Sequence, residues 1–115
     1  MNIEDYRNYC LQKQGVTEEF PFDKNTLVYK VKARMFTATD VIQFESINVK
    51  CHPEKSIQIR ETYSAVSPGY HMNKKHWNTI LIDGSIPDKL IYQWIDESYT
   101  LVVAKLSKHE RQWLE

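Results

Sequence analysis

Glycine is scarce in this chain, three residues among 115. The three lie far apart, which excludes the glycine-rich loop that a phosphate-cradling motif needs. With only four prolines as well, no flexible linker divides the chain, and no internal repeat is present. Long hydrophobic runs are missing too. No stretch approaches the roughly 20 apolar residues required to cross a bilayer. The polar start Met1-Asn2-Ile3-Glu4-Asp5 lacks the basic-then-apolar form of a signal peptide. The two cysteines, Cys10 and Cys51, are far apart and form no metal-like pair, so they read as buried thiols in a reducing cytoplasm. The expectation is a single soluble cytoplasmic domain, residues 1–115. Charge of one sign is not in excess: 15 basic residues balance 15 acidic ones. A neutral chain is a poor match for a strong electrostatic binder of nucleic acid, which carries a basic surplus. The field near a site depends on where the charges sit, however. Here Lys30, Lys32 and Arg34 cluster, Lys74 adjoins Lys75, and acids gather in the first quarter and from Asp83 to Glu97.

Apolar residues make up 42% of the chain, enough for one core, and a chain of this length buries roughly two thirds of its surface on folding. Residues 2–14 read as a helix, with Ile3, Tyr6, Cys10 and Leu11 on one face, acids in the first turn and Gly15 as its terminator. Leu27, Tyr29 and Val31 alternate with Val28 and Lys30 as in a half-buried strand, and a second strand covers residues 35–39. Lys32-Ala33-Arg34 reads equally as a hairpin tip or as mid-strand, because no glycine or asparagine marks a turn. A third strand covers 46–51, with Ile47, Val49 and Cys51 facing one way. Pro53 and Glu54 open a helix to about residue 64. Residues 77–82 form the next strand, closed by Asp83-Gly84. Pro87 opens the longest helix, whose core stripe runs through Leu90, Ile91, Trp94, Ile95, Ser98, Leu101 and Val102. Ser107-Lys108-His109-Glu110 has capping-box form and points to a short last helix. The order αβββαβα implies an α+β fold, an antiparallel sheet with helices packed on one face.

The run Pro68-Gly69-Tyr70-His71-Met72-Asn73-Lys74-Lys75-His76-Trp77-Asn78-Thr79 holds the densest chemistry. Zinc requires three or four convergent ligands, and the spacing of His52, His71, His76 and Cys51 matches no ligand ladder. Nucleophilic catalysis needs an activated serine or cysteine beside a base; Ser67 and Ser85 sit in turns that local hydrogen bonding explains. Nucleic-acid binding asks for lysine and arginine against phosphate and for amide or imidazole groups against edges and sugars. The 70–78 loop has that composition. Its bland alternative has Tyr70 and Trp77 stapling the loop to the core, Asn73 capping a turn and the lysines solvated.

The same run resembles the signature of the MmcQ/YjbR family of small bacterial proteins. Other segments agree in order: Phe20-Pro21-Phe22, Tyr29-Lys30-Val31, Met35-Phe36, Asn48-Val49-Lys50-Cys51-His52-Pro53-Glu54, Arg60-Glu61, Asp83-Gly84 and Ser98-Tyr99-Thr100-Leu101-Val102-Val103. The resemblance implies a CyaY-like fold with an antiparallel sheet beneath helices. It also implies the DNA-binding role ascribed to the family from a double-wing arrangement of projecting hairpins. One departure is that the family usually has glycine around the first hairpin turn, where this chain reads Lys32-Ala33-Arg34.

The resulting expectation is a non-enzymatic, monomeric DNA-binding or regulatory accessory protein without cofactor, metal or membrane role. Lys32 and Arg34 would meet the phosphates of double-stranded DNA at a wing tip. Lys74, Lys75 and His76 would form a second basic point, and Asn73 would supply a hydrogen-bonding side chain. Tyr70, His71 and Trp77 would be structural. The alternatives are a module for a protein or small anion and, further off, an enzyme using His71 as acid or base.

Overall fold

The computed structural model describes residues 1–70 and 72–114. The N-terminal helix α1 (Ile3–Leu11) begins at Asn2, whose side chain accepts from the Asp5 amide while Asp5 answers to the Asn2 amide. The chain then runs through β1 (Val16–Glu19), β2 (Thr26–Val31), β3 (Arg34–Asp40), β4 (Ser46–Lys50), α2 (Pro53–Thr62), β5 (Val66–Pro68), β6 (Trp77–Leu81), α3 (Asp88–Ala104) and α4 (Lys108–Gln112). All six strands form one antiparallel sheet in the order β1-β2-β3-β4-β6-β5. The fold class is the α+β arrangement expected, but the order αβββαβα gains two edge strands. β1 is Val-Thr-Glu-Glu and shows almost no apolar alternation; β5 is three residues ending in Pro68, which an edge strand tolerates because its missing N–H faces away from the ladder.

The helices cover one face of the sheet. Leu27, Tyr29 and Val31 of β2, Ile47 and Val49 of β4, and Ile91, Trp94, Ile95 and Val102 of α3 form the buried core together with Tyr6 and Cys10 of α1. Cys10 and Cys51 are both buried free thiols, and burial raises the Cys10 pKa. Val28 and Ala38 are also buried but lie outside that cluster, on the opposite face. Register and the two-residue period place them in one row with Asn48, Thr79 and Ser67. Helices thus leave one sheet face to the loops.

Two local devices shape the end of the sheet. The β2–β3 hairpin turns on Lys32 and Ala33, which join the paired residues Val31 and Arg34. Their φ angles are +50° and +67°, the left-handed pair of a two-residue hairpin turn. The segment is therefore a hairpin tip, formed without the glycine or asparagine that makes such a tip readable. A bulge follows on β3: Tyr29 faces Thr37 and Lys30 faces Met35, leaving Phe36 extra. Phe36 and Thr37 both turn to the helices, Phe36 edge-on to Tyr99 and Thr37 2.9 Å from the Tyr6 hydroxyl. The buried Ser98 hydroxyl of α3 then donates to the Phe36 carbonyl (2.5 Å) and accepts from the Lys50 amide (2.8 Å).

Ala33→Gly should raise stability. A left-handed L-residue costs roughly 1–2 kcal/mol and glycine's extra chain entropy returns part of it, leaving a gain of about 0.5–1 kcal/mol measurable by urea denaturation. Ser98→Ala should cost about 2–4 kcal/mol in the same measurement, because it orphans a buried carbonyl and a buried amide at once.

Candidate nucleic-acid interface and the adjoining groove

The loop between β5 and β6 is built from its own side chains. Gly69 donates its amide to the Trp77 carbonyl (2.8 Å), and a Cβ there would lie 2.7 Å from the Trp77 Cβ, so the close approach demands glycine. The Asn73 Oδ1 accepts from the amides of Lys75 (2.9 Å) and His76 (3.3 Å), while the Asn73 carbonyl accepts from His76 and Trp77. The Lys74 ammonium donates to the Gly69 carbonyl (2.9 Å). From α2, the Arg60 guanidinium donates to the Asn78 Oδ1 (2.7 Å), to the Trp77 carbonyl (3.1 Å) and to the Lys74 carbonyl. Arg60 therefore clamps the loop, a role its helical position in the sequence does not advertise.

These bonds divide the expected binding residues. The Asn73 oxygen and the Lys74 ammonium are engaged in holding the loop together. Lys75 is exposed, and His76 is half-buried. His76 stands beside the end of β4, its carbonyl accepting from the Cys51 amide at 2.7 Å. Burial first, then the charges of Lys50, Lys105, Lys75 and His52, hold the His76 imidazole below its ordinary pKa. Lys50 is likewise depressed, by burial and then by Lys105 and Arg34. Arg34 at the start of β3, Lys50 at the end of β4, Lys75 and His76 before β6, and Lys105 capping α3 thus share one electrostatic neighbourhood. None of these four cations, Arg34, Lys50, Lys75 or Lys105, forms an ion pair among the described residues. Lys32 sits at the adjacent hairpin tip. It and Arg34 reach the field of Glu110, whose pKa is lowered mainly by its bonds to Ser107. Sequence reasoning missed Lys50 and Lys105, because nothing in their spacing joins them to each other or to Lys75.

Beside this basic end, the helix-free face carries a groove of about 710 Å³. Its floor is β3 and β4, with Ala38, Ser46 and Asn48. One wall comes from Phe22 and Met35, the other from Tyr70, Met72, Asn73, Trp77 and Thr79. The Thr79 hydroxyl donates to the Asn48 Oδ1 (2.6 Å) and accepts from the Tyr70 amide (3.0 Å). Asn48 thereby keeps its amide nitrogen available as a donor on the floor. Tyr70, expected as a staple to the core, is instead 70% exposed, and Phe22 is 72% exposed. Trp77 is half-buried and serves as wall. His71, the candidate acid or base, lies outside the described residues. Among those described, no three histidine, cysteine or carboxylate side chains gather closely enough to hold a metal ion, and no helix is long and apolar enough to cross a membrane.

Comparison with known proteins agrees with the sequence resemblance. Over 115 residues the chain is 32% identical to the Escherichia coli protein named YjbR, covering 99% of this chain and 98% of that one. It is 26% identical over 113 residues to YyaQ of Bacillus subtilis, covering 85% and 95%. Both relatives bear the description "uncharacterized", and their names assign no activity. The crystal structure of a Deinococcus radiodurans protein carrying the domain DUF419 matches with a TM-score of 0.93 at 38% identity, covering 98% of this chain and 87% of that one. A Pseudomonas syringae crystal structure, 24% identical with a TM-score of 0.74 over 88% of this chain and 98% of its own, shares the fold. The family model described as YjbR matches residues 11–101, and the chain belongs to the YjbR family.

Proposed function

We propose that this protein is a non-enzymatic module that binds double-stranded DNA through the basic end of its sheet. The supporting observation is the convergence of Arg34, Lys50, Lys75, His76 and Lys105 from separate segments of a chain with no net charge. Like charges brought together without ion-pair partners repel, and a row of phosphates relieves that repulsion while releasing counterions. Lys32 extends the surface to the hairpin tip. Lys74 and Asn73 support the loop rather than meeting phosphate, so the contact set differs from the one that adjacency in sequence implies. Binding is weak at physiological salt because few phosphates are engaged.

Anisotropy titration of a short duplex at low salt tests this. With about four phosphate contacts, log K should fall with log[salt] at a slope of roughly −3 to −4. Lys75→Ala/Lys105→Ala should weaken binding and lower the slope by about 2, whereas Lys74→Ala should leave the slope unchanged. No binding to the duplex at low salt, or full binding by the Lys75/Lys105 double variant, overturns the proposal.

The pH dependence has a definite sign. In the free protein the His76 pKa lies below its unfolded value of about 6.5, so the folded state binds fewer protons in that range. His76 therefore contributes stability above that pH, which is lost as pH falls through the depressed value. A bound polyanion reverses the repulsion and raises the pKa. DNA affinity should then increase between pH 7.5 and 5.5, and His76→Gln should flatten this increase. Affinity independent of pH in the unaltered protein contradicts the role of His76.

A further inference from the structure

The groove on the helix-free face is acidic, whereas the proposed duplex surface is basic. β3 opens on Arg34 and closes on Asp40, residues roughly 20 Å apart along an extended strand. A chain with no net charge thus carries opposite charge at the two ends of its sheet. Asp23, Asp40 and Glu45 line the groove, and no lysine or arginine among the described residues does. The three carboxylates come from separate segments. Asp23 accepts the Thr26 amide at 2.7 Å, Thr26 pairs in register with Asp40, and Glu45 directly precedes β4. None of them takes part in an ion pair among the described residues. Hydrogen bonds from the Asn25 and Thr26 amides hold the Asp23 carboxyl below its usual range. Phe22, next to Asp23 in the chain, also lines the groove and keeps most of its surface uncovered. The other end is apolar. There Met35 and Trp77 line the groove, and Trp77 pairs with Lys50, about 13 Å along β4 from Ser46.

Each feature narrows the ligand. Carboxylates with no cation beside them favour a positively charged group. A metal ion is a poor match, since among the described residues no three carboxylate, histidine or cysteine side chains gather closely enough to hold one. An exposed aromatic ring is no ligand for a hard cation, but it gains from cation–π contact with an organic ammonium. At about 710 Å³ the groove falls within the roughly 300–1,000 Å³ typical of small-molecule sites. It therefore takes more than a charged group, and Met35 and Trp77 favour a flat apolar body. Lys50, just past Trp77, repels a cation and so opposes the reversed orientation. A bare amine uses only the acidic end, and a neutral aromatic compound uses only the apolar end.

We propose that this groove binds a small arylalkylamine, its ammonium at Asp23, Asp40 and Glu45 beside Phe22 and its ring against Met35 and Trp77. The site is separate from the duplex surface, since Arg34, Lys50, Lys75 and Lys105 do not line the groove.

Thermal unfolding with tryptamine and with phenethylamine tests the proposal. Ethylamine supplies the cation without the ring, indole-3-acetate the ring without the cation, and magnesium chloride a hard cation. At ten times the dissociation constant either arylalkylamine should raise the midpoint by roughly 5 °C, while the three controls leave it nearly unchanged. In calorimetric titration Asp40→Asn/Glu45→Gln should weaken tryptamine binding roughly five- to tenfold, and Phe22→Ala about two- to fivefold. All three side chains are exposed, so the midpoint without ligand serves as the folding control. The Lys75→Ala/Lys105→Ala variant should keep the full amine response, so failure of duplex binding and failure of this proposal are told apart. No rise with either arylalkylamine at millimolar concentration overturns it. So does an equal rise with ethylamine, indole-3-acetate or magnesium, an unaltered affinity in the Asp40/Glu45 variant, or stabilisation by an oligolysine peptide without any by the amines.

Discussion

The hydroxyl of Ser98 is the point on which the sheet and its basic end depend. The bulge at Phe36 separates β3 from β4 just beyond the Thr37–Val49 pair, leaving the Phe36 carbonyl and the Lys50 amide facing a gap. Ser98 fills it, donating to one and accepting from the other. A side chain of α3 thus completes the ladder between strands, and the helix is fastened to the sheet by polar groups as well as by Ile91, Trp94, Ile95 and Val102. The bulge sends both Phe36 and Thr37 into the helix-side core, where Phe36 meets Tyr99 and Thr37 meets Tyr6. It also turns Met35 onto the opposite face, beside Lys30, where it becomes part of the groove wall. The same joint sets the end of β4, from which Lys50 projects.

A second constraint operates at the 69–77 loop. Asn73 and Lys74 spend hydrogen bonds on the loop's backbone, Arg60 donates to the Trp77 carbonyl and to the Asn78 side chain, and Gly69 permits the contact with Trp77 that a side chain would block. The loop is consequently a formed wall rather than a loose excursion. Its Lys75 and His76 lie in the electrostatic neighbourhood of Lys50 and Lys105. Burial first, and the neighbouring positive charges second, lower the pKa values of Lys50 and His76. An anionic partner would compensate that repulsion, and the proposed DNA contact accordingly rests on this end of the molecule and not on its total charge.

Much of the fold was legible in the sequence because it rests on local pattern. The α3 stripe, the alternation of Ile47, Val49 and Cys51, and the capping box at Ser107 each express one element's own periodicity or end chemistry. β1 and β5 were not legible: their pairing is supplied by neighbours, Val31 and Tyr29 in one case and Ile80 in the other, and not by their own residues. The Lys32-Ala33 segment stayed open between hairpin tip and mid-strand for the opposite reason. Its left-handed conformation is imposed by the register of β2 and β3 on residues that do not prefer it.

For the site, adjacency in sequence was a partial guide. Arg34, Lys75 and His76 do gather, but Lys74 and Asn73, between or beside them in the chain, are turned to structural use. By itself the sequence determined the family, the fold class and the core, since these follow from motif, period and hydrophobic burial. Only the tertiary structure decided which cations share a surface and which aromatics stay open to water. Those properties arise where β3, β4, β6 and the end of α3 meet, and no local spacing encodes distances between segments so far apart in the chain.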